Sequence, residues 1–227
     1  MNKIHYKDIE KKIKDFEVIK SNKTNGNNSV VYTDGDLYYK IWPSDWGRSD
    51  IVERAVKNNF YDSYTVPVLT DLIYDEGGQR GYITKKGKPL YDMSINKGYK
   101  YWDYIVENTN ILQRKDFILK ILNNSMSSKL FFIDLCPTNL VLYNDDISLI
   151  DLDGCCSFSL LFYGNALKHE KFKKDYSGRR FLDIFRNNVN LFYRDYLREC
   201  LDIKYDRNIN SEHKIDEIIS LVDKIRK

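Results

Sequence analysis

At 227 residues with 42% hydrophobic content, the chain can build one mid-sized domain or two small lobes around a real core, which excludes disorder as the default. Its 36 Lys and Arg against 33 Asp and Glu leave a net charge of +3, without the concentrated basic stripe expected of a nucleic-acid binder. No apolar run approaches the roughly 18 residues that cross a bilayer, and the charged start MNKIHYKDIEKK lacks the apolar core of a signal peptide. The expectation is a chain without a membrane span, cytoplasmic or delivered to a host cytosol without a classical signal peptide, and monomeric.

Residues 1–20 carry helical spacing followed by a short strand, FEVIK. The Asn-rich cluster from Asn22 to Asn28 is turn-forming. Two β-rich runs then flank Asp34-Gly35-Asp36, the pattern of a tight hairpin. From Ser49 the segment SDIVERAVKNNFYDSY is helical, with Ser49 as N-cap and Asp50 and Glu53 at the positive end of the helix dipole. A second β-pair, VPVLTDLIYD and RGYIT, is joined by a turn over Glu76-Gly77-Gly78-Gln79. KKGKP (Lys85 to Pro89) breaks the pattern and reads as a linker.

Beyond the linker the pattern is helical over residues 100–129, with two short strands, LVLY and ISLID, around Asn144-Asp145-Asp146, and helical again over residues 160–227. The expected fold class is therefore α+β and two-lobed: a β-rich N-lobe over residues 1–87 and a small helical C-lobe over residues 88–227. Four cysteines (Cys136, Cys155, Cys156, Cys200) lack paired CxxC spacing and read as free thiols. The basic stretch from Lys168 to Arg180 reads as a solvated face.

Chemistry concentrates in FFIDLCPTNLVLYNDDISLIDLD, residues 131–153. Asp134 and Asn139 stand five apart in a Pro-containing loop, and a hairpin then returns the chain to Asp151. Paired strands bring Asn139 and Asp151 to one edge of the sheet. Hard oxygen ligands converging there suit Mg²⁺, which keeps several waters and takes only one or two carboxylates from protein.

This segment resembles the catalytic and metal loops of the eukaryotic-protein-kinase-like superfamily, whose pattern is H-R-D-x-x-x-x-N, a hairpin, then D-F-G. Phe132-Ile133-Asp134 stands at the first motif, Asn139 five residues later, and Asp151-Leu152-Asp153 at the last. The resemblance implies that Asp134 orients and deprotonates the acceptor hydroxyl and that Asn139 and Asp151 bind metal. Asp153 is a second ligand or, with Gly154, a rival register. Thr24 to Val31 resembles the glycine-rich loop, with Gly26 at the middle glycine, Ser29 replacing the third, and Asn28 and Val31 beside them. Lys40 in YYKIW matches the lysine that contacts the phosphates, and Glu53 its partner. Tyr82 to Gly87 corresponds to the last small-lobe strand and hinge, so Thr84, Lys85 and Lys86 would border the adenine.

The pattern also departs from the family's. Phe132 and Ile133 replace its His and Arg, and Cys136 stands where protein Ser/Thr kinases usually carry Lys. No A-P-E follows Asp151, and the segment after it is short and apolar. Plainer roles are open to the same residues: Lys40 as a strand-face lysine, Glu53 as a helix-start acid, Asp134 and Asn139 as turn caps, Asp151 and Asp153 as surface-loop acids. The expected function is ATP-dependent phosphorylation, protein Ser/Thr hydroxyls ahead of small molecules, with ATP and Mg²⁺ (or Mn²⁺) as cofactors. The alternatives are a pseudokinase scaffold, a small-molecule kinase of the aminoglycoside or choline type, and transfer of AMP.

Overall fold

The computed structural model of the chain describes residues 2–21, 29–43, 52–53, 69–91, 102–128, 130–132, 135–152, 155–157, 193–204 and 214–227. Its start departs from the expected helix: strand β1 (Asn2–His5) comes first, then helix α1 (Tyr6–Ile13) and strand β2 (Glu17–Ser21). His5 caps α1, its ring accepting the Lys7 N–H at 3.3 Å. Ile9 and Ile13, four apart on one face, are the buried residues of that helix. Each such buried side chain contributes about 1.5–3 kcal/mol relative to exposure, which is what seats so short a helix.

The hairpin expected at Asp34 forms between β3 (Val30–Thr33) and β4 (Leu37–Ile41). Asp34 Oδ1 accepts the N–H groups of Asp36 (3.0 Å) and Leu37 (2.9 Å), its Oδ2 accepts the Tyr39 hydroxyl (2.7 Å), and Gly35 takes φ 108°. Burial raises the Asp34 pKa, but the Tyr39 hydroxyl and the amides outweigh it and hold the group below the usual carboxylate range.

The second β-pair is β5 (Leu69–Asp75) and β6 (Gly78–Lys85). Its turn is shorter than expected, because Gly78 and Gln79 already pair with Asp75 and Tyr74. The six strands lie in the order β1-β5-β6-β4-β3-β2, with β1 parallel to β5.

Strand alternation divides this sheet into two faces. Tyr39, Ile41, Ile73 and Ile83 pack with Ile9 and Ile13 under α1. Trp42, Leu72 and Tyr82 face the other way and join a larger core built with the helical half. Lys40 and Thr84 alternate onto that second face.

KKGKP is more than a linker: β7 (Lys88–Pro89) pairs with the hairpin of the second half. Gly87 permits the approach, since a Cβ there would lie 2.6 Å from Val141 Cγ2. Further described helices are α2 (Asp103–Asn108), α3 (Ile111–Ser128) and α4 (Lys214–Arg226), with a π-helical turn at Tyr196–Cys200. Phe117, Ile118, Ile121 and Leu122 of α3 and Leu221, Val222 and Ile225 of α4 are core residues.

Strands β8 (Leu130–Phe132) and β11 (Cys155–Ser157) pair antiparallel, which the sequence pattern did not indicate. Between them lie β9 (Leu140–Tyr143) and β10 (Asp146–Leu149), matching the two expected strands. The helix expected from Ser49 is described only at Val52 and Glu53, both helical, and most of residues 160–227 lie outside the described residues.

Buried Arg114 donates to the carbonyls of Cys200 (2.8 Å) and Val106 (3.1 Å), while Tyr196 donates to the Arg114 carbonyl (3.0 Å). These bonds tie α2, α3 and the π-turn together. Burial is the main reason the Cys200 thiol is pushed up to about 12, so it stays protonated. Neither Cys136 nor Cys200 is in a disulfide. No described helix is long and apolar enough to cross a membrane.

Candidate functional site

Lys40 sits in β4 between Val31 of β3 and Tyr82 of β6, its direct cross-strand neighbours. It is only 8% exposed. A buried ammonium requires a counter-charge, and Asp151, 111 positions away in sequence, supplies it: Lys40 Nζ is ion-paired and hydrogen-bonded to Asp151 Oδ1. The Lys40 side chain is 10% exposed and that of Asp151 31%, so one end of the pair faces water. The ammonium also lies 5.8 Å from the Tyr82 ring centroid.

The hairpin of β9 and β10 explains how Asp151 reaches this place. Asn144 (φ 48°) and Asp145 (φ 65°) both take left-handed conformations, as a two-residue turn matched to strand twist requires. The pairing runs from Asp146 opposite Tyr143 to Leu149 opposite Leu140. One step beyond, the Ile150 N–H donates to the Asn139 carbonyl at 3.0 Å. Asn139 and Asp151 therefore leave the same end of the hairpin. Asn139 ends a 3₁₀ turn (Pro137–Asn139), donates its N–H to the Cys136 carbonyl at 3.0 Å and is 4% exposed.

The hydroxyl of Tyr82 also belongs to the site, though no local sequence pattern marks it. It accepts the Leu152 N–H at 3.0 Å and donates to the Ile150 carbonyl at 3.3 Å, spanning the two residues that flank Asp151. Its signal was register: with Gly81 opposite Ile41, Tyr82 must share the face of Lys40.

The remaining candidates are distributed as follows. Glu53 accepts Lys3 Nζ at 2.9 Å and the Tyr74 hydroxyl at 2.7 Å, so the structure ties it to β1 and β5 while Lys40 goes to Asp151. Ser29 and Val31 are half-buried at the start of β3. Thr84, buried, lies two residues from Tyr82 on its face; Lys85 is exposed at the end of β6. The Lys86 N–H donates to the Asp36 carbonyl at 3.0 Å. Gly26, Asn28, Asp134 and Asp153 lie outside the described residues.

Among the described residues no group of three or more His, Cys, Asp or Glu side chains is gathered. What the described residues show is the Asp151 carboxylate paired with the Lys40 ammonium, and Asn139 at the same end of the hairpin. Hard oxygen donors fit Mg²⁺ or Mn²⁺ in a site completed by water and phosphate rather than by an all-protein cage.

No protein-family model matches the chain, and no curated protein matches it. Among solved structures, the crystal structure of the BubR1 kinase domain aligns at 12% identity with a TM-score of 0.43, over 83% of this chain and 63% of that one. The chain thus spans less than two thirds of the length of that domain. The architecture itself, a β-rich sheet joined to helices, is a mixed α+β fold.

Proposed function

We propose that the chain is an ATP-dependent phosphotransferase acting on a hydroxyl acceptor, with protein Ser/Thr side chains the favoured acceptor and Mg-ATP held between residues 1–87 and 88–227. The observation that carries this reading is the meeting of Lys40 with Asp151 beside Asn139. A cation for phosphate and oxygen donors for a hard metal stand together, supplied by β4 and by the end of the β9–β10 hairpin. That is the equipment phosphoryl transfer requires, because catalysis there is mostly positioning and charge stabilisation.

In the mechanism, Lys40 would contact phosphate oxygens, and Asn139 and Asp151 would hold Mg²⁺, with Asp153 as a further ligand. Bound there, Mg²⁺ would neutralise charge on the phosphate oxygens. Asp134 orients the acceptor hydroxyl and takes its proton as the acceptor oxygen bonds to the γ-phosphorus and the bond to ADP breaks. Gly26, Asn28, Ser29 and Val31 cover the phosphates, while Thr84, Lys85 and Lys86 border the adenine. Glu53, bound to Lys3 and Tyr74, steadies the sheet edge behind the site.

Phe132, Ile133 and Cys136 on the acceptor side favour a second reading, a scaffold that binds nucleotide or partner without turnover. Thermal unfolding tests the shared step. Mg-ATP at about 100 times its Kd is expected to stabilise the chain by about 2.7 kcal/mol, by mass action. ATP with EDTA should give less, and a midpoint unmoved by Mg-ATP contradicts the phosphotransferase and the nucleotide-binding scaffold alike, leaving only a scaffold that binds a partner. Product masses then separate phosphate transfer, AMP transfer and no transfer.

A further inference from the structure

The Tyr82 hydroxyl sits where a positioning device for Asp151 would have to sit. It is carried by a side chain only 1% exposed, on the strand paired with β4 and directly opposite Lys40. Its ring is wedged edge-on against Trp42, with centroids 5.8 Å apart at 71°, so its direction is set by the core. The phenol uses both its capacities, accepting from the Leu152 N–H (3.0 Å) and donating to the Ile150 carbonyl (3.3 Å). Asp151 lies between those two residues.

We propose that Tyr82 is a positioning residue that clamps the backbone on both sides of Asp151 and so aims its carboxylate at Lys40 and at the metal. This rests on reading Asp151 as a metal-holding carboxylate. Lys40 and Tyr82 stand opposite each other on β4 and β6, so one pair of strands sets both the cation and the place of the carboxylate. No other described hydroxyl bridges both neighbours of Asp151. A hydroxyl acting behind a metal ligand affects metal affinity without touching the metal, typically by 10–100-fold on removal.

The test compares the full chain with its Tyr82→Phe variant, which keeps the ring in the core and removes the hydroxyl that makes the clamp. The probes are Mn²⁺ read by paramagnetic resonance, with AMP-PNP as a non-hydrolysable nucleotide, and amide hydrogen exchange at Leu152. The variant is expected to bind Mn²⁺ on the order of 10-fold more weakly, to bind metal-free AMP-PNP unchanged, and to exchange Leu152 faster while α3 amides keep their rates. Unchanged Leu152 exchange overturns the clamp. Equal weakening of metal-bound and metal-free nucleotide overturns the positioning role in favour of a merely structural one. If the wild type binds no Mn²⁺, the functional reading of Asp151 fails by itself. Leu152 exchange then decides the clamp alone, faster upholding it and unchanged overturning it.

Discussion

Asp151→Ala is expected to abolish Mg²⁺-dependent ATP turnover and to destabilise the fold more than Lys40→Met does. Both variants remove one partner of the same ion pair, but what they leave behind differs. Without Asp151, an ammonium whose side chain is 10% exposed loses this ion-pair partner. Breaking a buried pair by removing one partner costs roughly 3–5 kcal/mol, and the partial exposure of this pair places the cost near the lower end, about 3 kcal/mol.

Without Lys40, the carboxylate left behind belongs to a side chain 31% exposed, and water can solvate it. Methionine also refills most of the lysine's volume. The cost there should be closer to about 1 kcal/mol. Turnover should fall by at least about 100-fold in each, since on the proposed function each removes a group that would stabilise charge in the transition state. Equilibrium denaturation and a coupled ATP assay check both parts. Equal stabilities, or a Lys40→Met protein less stable than Asp151→Ala, would contradict this account of the pair.

Gly81→Ala should be among the costliest substitutions in the sheet. A methyl at Gly81 would overlap the carbonyl oxygen of Lys40 and lie 3.1 Å from its carbonyl carbon and 3.3 Å from Ile41 Cα. All three are backbone atoms, so no side chain can swing aside. Either β4 and β6 separate, or Lys40 shifts with its strand. Overpacking of this kind costs about 1–3 kcal/mol or more, which in a chain of this size lowers Tm by about 2–4 °C per kcal/mol.

Gly35→Ala is the control. Gly35 has φ 108° but nothing within 4 Å of the added carbon, so its cost is conformational strain alone, about 1–2 kcal/mol. Gly35→Ala should keep turnover, while Gly81→Ala should lose it together with stability. Scanning calorimetry and initial rates on the two variants distinguish these outcomes.

The elements legible in the sequence were those whose signals are local. Asp34-Gly35-Asp36 marks a hairpin because Asp34 satisfies its own turn, and Asn144-Asp145 does so because both residues tolerate left-handed backbone. The long period of α3 and the alternation through β4 and β6 were equally plain. Strands β1, β7, β8 and β11 were not, since they are two to four residues long and find their partners far away in sequence. Such pairings are decided by tertiary context, which overrides propensity.

The candidate site divided along the same line. That Asn139 and Asp151 flank one hairpin end follows from spacing and strand pairing, and the Ile150–Asn139 bond reflects it. Lys40 on the inward face follows from alternation. From the sequence, Glu53 is the partner named for Lys40; in the structure Lys3 and Tyr74 hold Glu53 and Asp151 holds Lys40. Spacing along the chain names residue types, but choosing between two carboxylates requires three-dimensional register. Tyr82 went unnoticed for the same reason, since its hydroxyl meets backbone 68 and 70 positions away.

The most direct measurement is the fate of the γ-phosphate. The full chain is incubated with γ-labelled ATP, Mg²⁺ or Mn²⁺ and a panel of hydroxyl acceptors, and compared with Asp151→Ala. The account predicts metal-dependent movement of label from ATP to an acceptor, to the chain itself or to free phosphate, and its loss in the variant. Label that stays on ATP under every condition, or moves equally with and without Asp151, would contradict the assignment of this site to phosphoryl transfer.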